Sequence, residues 1–218
     1  MSKILFEDFE VEYIYNKKLK NSYIKIDKKF NIVVKTPNSS EQFVHKLLHD
    51  KKLWIEKQYI KFTQNRPKEI KLEDEVLLFG NIYSINQEEF LFLRQKLNRL
   101  KNMNKMSILK CYYAFYLYKA TKYLPQRVEY FANVMKLQFK ELKFRKLKSR
   151  WGSCNSLGVV TLNSELMKIK KELIDYVIVH ELAHLVYMNH SREFHNLVNF
   201  YLPNSQLLRK ELKDIRLG

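Results

Sequence analysis

The chain has few of the residues that break or staple a fold. Its 218 residues include four glycines, four prolines and two cysteines. So little glycine and proline excludes a low-complexity linker, and no segment repeats at solenoid-like periods. Cys111 and Cys154 cannot build a disulfide framework and form no C-x-x-C pair, which suits a reducing compartment. No apolar run reaches the roughly 18 residues that would span a bilayer, so no membrane association is expected. The start, MSKILFEDFEVEYIYNKK, lacks the apolar stretch of an export signal, and a cytoplasmic location is the expectation. What remains is a chain with 46% hydrophobic residues, enough to bury a proper core.

Acidic residues are also scarce: 23 against 40 Lys and Arg, a net charge of +17. The imbalance is local. Residues 1–100 hold 19 basic and 14 acidic residues, 101–170 hold 15 and 3, and 171–218 hold 6 and 6. The block 101–170 makes nucleic acid a candidate partner. A lysine-rich solvated surface is the plainer reading of the same charge.

Period-two alternation in FEVEYIY, SYIKID and FNIVVKTP predicts a β meander. From Ser39 or Ser40, a plausible N-cap, apolar residues at helical spacing predict one amphipathic helix. EVLLFGNIYSIN reads as a hairpin turning at Gly80 and Asn81. Residues 88–135 read as helical, with Pro125 opening a new helix or kinking one. LQFKELKFRKLKSRW and GVVTLN then read as strands around the turn GSCNSLG, followed by helices over 170–188, 191–201 and 205–215. The expectation is an α+β chain: a β-rich N-terminal region with one amphipathic helix over 1–90, and a catalytic unit over 91–218.

The chemistry concentrates in VIVHELAHLVYMNH, residues 177–190. On a helix His180 and His184 project about 40° apart and can share one ion, while Glu181, about 100° from His180, points beside it. The surrounding helix is apolar nearly all round and therefore buried. Burying two imidazoles and a carboxylate is costly unless a cation pairs them. Catalytic zinc usually takes three protein ligands and leaves a position open. His190 completes H-E-x-x-H-x5-H if the helix stops near Met188 and Asn189 turns left-handed. Metzincins share that spacing, but Tyr187 replaces their glycine and no methionine follows Met188, so the class differs. His45 and His49 share the i, i+4 spacing without a glutamate and read as surface residues. His195 is a candidate to support a ligand, with a core or surface role as the plainer reading.

The segment from Lys148 to Pro203 resembles the YgjP-like family of zinc metallopeptidases, relatives of the SprT-like and WLM proteases. The resemblance rests on R-W-G-S-C at Arg150 to Cys154, L-N at Leu162 and Asn163, V-x-H-E-L-x-H at Val179 to His184, and N-H-S-x-x-F at Asn189 to Phe194. It implies a zincin-like unit with a small sheet packed on the H-E-x-x-H helix. It further implies Zn2+ held by His180, His184 and His190, and Glu181 as the base acting on a zinc-bound water. Peptide or protein would be the substrate, with Trp151, Arg150 and Tyr187 as candidate contacts. In such folds a peptide adds to an edge strand, here GVVTLN or KFRKLKSRW. Tyr187, Arg192 and Tyr201 are candidates to stabilise an oxyanion. The SprT-like relatives imply an alternative: a nucleic-acid-associated protein, or a DNA-dependent protease, recruited through 101–170.

Overall fold

The structure is a computed structural model that describes residues 2–7, 9–27, 31–64, 70–215 and 217. It is α+β, as the residue pattern predicts, and divides into two compact units, Met1–Arg66 and Pro67–Gly218. Among the described residues no helix is long and apolar enough to cross a membrane.

The first unit contains β1 (Ser2–Phe6), β2 (Phe9–Tyr15), β3 (Tyr23–Ile26) and β4 (Ile32–Thr36) in the order β1-β2-β4-β3. This is not the predicted meander, because β2 pairs parallel with β4. Strand β3 pairs antiparallel with one edge of β4, which leaves the other edge of β4 to β2. Alternation in β4 sends Ile32, Val34 and Thr36 to the buried face, against Val44, Leu48 and Ile55. The predicted single helix is two, α1 (Glu41–Asp50) and α2 (Lys52–Gln64), separated at Lys51. Ser40 caps α1, its Oγ accepting from the Phe43 N–H at 3.4 Å.

The second unit begins with a hairpin of β5 (Glu75–Leu78) and β6 (Asn81–Ser84). Its turn residues are Phe79 and Gly80, both left-handed, one position earlier than expected. This hairpin, grouped with the N-terminal region when a boundary is drawn at residue 90, is bonded into the second unit: Phe79 N–H donates to Met167 O at 2.8 Å and Gly80 N–H to Lys168 O at 3.1 Å.

Helices α3 (Leu91–Asn98) and α4 (Lys105–Met135) follow, and α4 runs unbroken past Pro125. A three-stranded sheet comes next: β7 (Glu141–Arg145), β8 (Gly152–Cys154) and β9 (Val159–Asn163), in the order β7-β9-β8. Strand β8 lies where the sequence reads as a turn, and residues 146–151, read as strand, are irregular. Three residues are too few for alternation to register, so β8 is visible only through its pairing with β9.

Helix α5 (Lys171–Ala183) is the hub of the unit, packing on α4, β8, β9, α6 (Arg192–Tyr201) and α7 (Ser205–Asp214). It is apolar on nearly every face, and Leu173, Ile174, Val179, Leu182 and Ala183 are inaccessible to solvent. Asp175, one of its few polar residues, takes a two-pronged bond from Arg127 of α4 at 2.6 and 2.8 Å.

Candidate metal centre

Helix α5 stops at Ala183, one turn earlier than predicted, and His184 is its C-terminal cap. The stop has a local cause: Val186 and Tyr187 N–H both turn back to Ala183 O, while His184 Nδ1–H donates to Tyr187 O at 3.0 Å. Six residues therefore remain to bring His190 back over the helix, and Asn189 is not left-handed. A longer loop does the work assigned to one strained residue.

His180, His184 and His190 converge, each presenting one ring nitrogen, with those atoms all within 4.8 Å of one another. The ring centroids form a near-equilateral triangle of 5.0, 5.0 and 4.8 Å. Beneath it lies the fully buried Phe194 of α6, 4.6 to 4.9 Å from all three rings. Ser191 caps α6 by accepting from the Phe194 N–H, so the N-H-S-x-x-F run links the third histidine to its floor.

The donor set fits a divalent transition metal. His184 gives its Nδ1 proton to the Tyr187 carbonyl, which leaves Nε2 as a lone pair. His180 and His190 face each other Nε2 to Nε2 at 3.1 Å, and the buried His180 Nδ1 has no partner. Burial, then the neighbouring histidines, Arg209 and His195, push the His180 imidazole down to about 3. His190 is also held below its ordinary value, first by desolvation and then by His184, His195 and Arg209. Neutral imidazoles with converging lone pairs are what zinc and its neighbours bind.

Glu181 is buried beside this triangle, 6% exposed. Burial pushes its carboxyl up to about 7, against the opposing pull of the Arg150 charge and a backbone hydrogen bond from Cys154. Strand β8 lies directly on it: a Cβ at Gly152 would fall 2.8 Å from Glu181 Cγ and Oε1. The strand beside the carboxylate is therefore β8, at one edge of its sheet. GVVTLN forms the central β9, and KFR belongs to β7 at the far edge.

Asn163, at the end of β9, holds the approach to β8. It is inaccessible to solvent, and its Nδ2 donates to Leu147 O at 3.0 Å and Arg150 O at 2.9 Å while Oδ1 accepts from the Glu165 N–H. Its own N–H donates to Trp151 O at 2.9 Å. Trp151 is half-buried against the core, and Arg150 is exposed with its charge reaching Glu181. Tyr187 is half-buried and meets the cluster through its carbonyl.

The other candidates are dispersed. Arg192 is exposed in the first turn of α6 and Tyr201 ends that helix, and no contact joins either to the triangle among the described residues. His195 stacks on His190 at 6.2 Å, with Arg209 of α7 3.5 Å from its Nε2. His45 and His49 are exposed on α1, as expected. Cys154 is half-buried, its thiol pushed up to about 11 by burial and then by Glu181. Residue reasoning missed the parts played by Gly152, the Cys154 backbone, Asn163 and Arg209. The R-W-G-S-C and L-N runs marked three of these without revealing what they touch, and nothing marked Arg209.

A family model described as YgjP-like, metallopeptidase domain, matches residues 20–215. Among solved structures the chain is similar to the metallopeptidase zymogen abylysin of Pyrococcus abyssi, at 20% identity over 43% of this chain and 98% of that one, with a TM-score of 0.39. It is also similar to the zymogen jannalysin of Methanocaldococcus jannaschii, at 22% identity over 41% and 90% of the two chains, with a TM-score of 0.36. No curated protein matches.

Proposed function

The chain belongs to the YgjP-like metallopeptidase family, and from that premise we propose that it hydrolyses peptide bonds with zinc held by His180, His184 and His190 and with Glu181 as the general base. The observation that carries this reading is the pairing of three converging imidazoles with a buried carboxyl poised at about 7. When bound, the ion supplies Lewis-acid chemistry, polarising a carbonyl and acidifying water.

The protein's own groups do the rest. Glu181, aimed beside the triangle, accepts a proton from the attacking water and returns it to the leaving amine nitrogen. The new C–O bond forms first and the scissile C–N bond then breaks as the nitrogen takes up that proton; the second proton of the water also passes to the amine, leaving a carboxylate and an ammonium group. The Cys154 backbone and Gly152 fix the carboxylate from above, and the Arg150 charge favours its ionised form. An extended peptide adds to the open edge of β8, which brings its backbone over Glu181.

The test compares parent and Glu181→Gln on an unfolded protein substrate, with metal content measured in both. The variant is expected to keep its metal and lose cleavage by at least about 10²-fold, the scale of a positioned base. Equal cleavage by the two would rule out the assigned base.

A further inference from the structure

Between α3 and α4 the second unit carries an open groove of about 330 Å³ whose polar lining is Lys96, Arg99, Lys110 and Ser107, with Leu100, Cys111 and Ala114 completing the wall. No carboxylate lines it. The chain around it is free of acid: residues 90–128 contain nine Lys or Arg and no Asp or Glu. Three of those nine are engaged elsewhere. Arg94 donates to Ile85 O and Gln87 O, Lys119 pairs with Glu89, and Arg127 pairs with Asp175. Lys96, Arg99 and Lys110 have no carboxylate partner among the described residues, and Lys96 instead lies over the Phe92 ring at 5.1 Å.

Three cations gathered around one concavity repel each other, and the repulsion is relieved when an anion joins them. The start of α4 adds to the positive field. Ser107 is in the first turn of a 31-residue helix with no acidic residue there, so the positive end of the helix is uncompensated. Its backbone N–H is taken by the capping Asn104, which leaves the hydroxyl as the group it offers to the groove. The volume is at the lower end of the range of small-molecule sites, and the exposed Arg99 and Lys110 can be reached from solvent.

We propose that this groove binds a phosphate group, seated among Lys96, Arg99 and Lys110 with the Ser107 hydroxyl as a further donor. Leu100 and Ala114 flank whatever carries it. Arg99 offers the two-pronged donation that suits phosphate oxygens, and the two lysines act as point charges. The assignment is independent of the histidine triangle and of Glu181.

Calorimetric titration of the full chain with inorganic phosphate, adenosine monophosphate and a short single-stranded oligothymidine, at low ionic strength, tests it. Saturable one-to-one binding of at least one probe is expected, weakened about tenfold or more in a Lys96→Gln/Arg99→Gln variant. A Lys17→Gln/Lys18→Gln variant removes the same charge from an exposed turn of the first unit and should change affinity by less than about twofold. Thermal midpoints of both variants establish that they fold. Tighter binding of the monophosphate than of the oligomer assigns the group to a small molecule, and tighter, steeply salt-dependent binding of the oligomer assigns it to a nucleic-acid backbone. Absence of saturable binding by all three probes, or equal weakening in the control variant, overturns the site.

Discussion

Gly152 and Glu181 are in van der Waals contact, so close that a methyl group on Gly152 would lie 2.8 Å from both Cγ and Oε1 of the carboxylate. The glycine's backbone is not in the left-handed region, so space and not conformational freedom requires it. The edge strand of the sheet thus rests on the proposed base without an intervening side chain, and the backbone hydrogen bond from Cys154 two residues on holds the same carboxylate.

Gly152→Ala should therefore displace the carboxylate while leaving the histidines untouched. Misplacing a reacting group by about 1 Å can lower rates about 10²-fold. Steady-state kinetics on a metal-loaded variant should show that loss in kcat, with KM and metal content near those of the parent. Parent-like kcat would mean that the carboxylate has room to move without consequence.

Asn163 governs the same strand from the other side. Asn163→Ala would strip the donors from Leu147 O and Arg150 O and the acceptor from the Glu165 N–H, in a position closed to solvent. Leaving such groups unpaired costs roughly 1–3 kcal/mol each, and partial rehydration of the exposed Arg150 end brings the expected total to about 3 kcal/mol. Urea denaturation should show a lower midpoint at unchanged slope. A loss below about 0.5 kcal/mol, the range of ordinary surface substitutions, would remove Asn163 from this role.

Metal should stabilise the second unit through the triangle alone. A ligand at a thousandfold excess over its Kd adds about 4 kcal/mol to a fold that binds it only when native. Zinc should raise the thermal midpoint of the parent and a chelator should reverse it. His184→Ala should abolish the increment, and His195→Ala, which removes a ring stacked on His190 but no member of the triangle, should retain most of it. Loss of the increment in both would place His195 among the ligands.

The triangle is legible in the chain because its geometry is local. Helical spacing sets His180, Glu181 and His184, and six residues suffice to return His190. The partners above Glu181 are not legible, since they arrive from β8, three residues long and recognisable only when paired with β9. The order β1-β2-β4-β3 is hidden for a related reason: alternation reports which face of a strand is buried, not which strand lies beside it. The early end of α5 depends on a side-chain bond from His184 to the Tyr187 carbonyl, a contact that apolar periodicity does not encode.

Two groups of opposite sign make the metal-free protein's stability depend on pH. Glu181 has its folded pKa raised from 4.5 to about 7, first by burial. The unfolded chain loses that proton earlier, so the contribution is fully present below 4.5 and is lost as pH rises toward about 7. His180 has its folded pKa depressed from 6.5 to about 3, again first by burial, so its contribution is present above 6.5 and is lost as pH falls toward about 3. Between 4.5 and 6.5 the Glu181 contribution falls with rising pH as the His180 contribution grows, so the two slopes cancel and the pair together favours folding most across that window. Glu181→Gln keeps a neutral side chain of the same size and removes only the first dependence. Denaturation of the metal-free parent and variant should therefore show the variant gaining stability relative to the parent as pH rises from 4.5 to 7, with little relative change below. A difference between the two proteins that does not change with pH would mean that Glu181 titrates in the fold as it does in the unfolded chain, and that the strand above it solvates its charge better than its burial suggests.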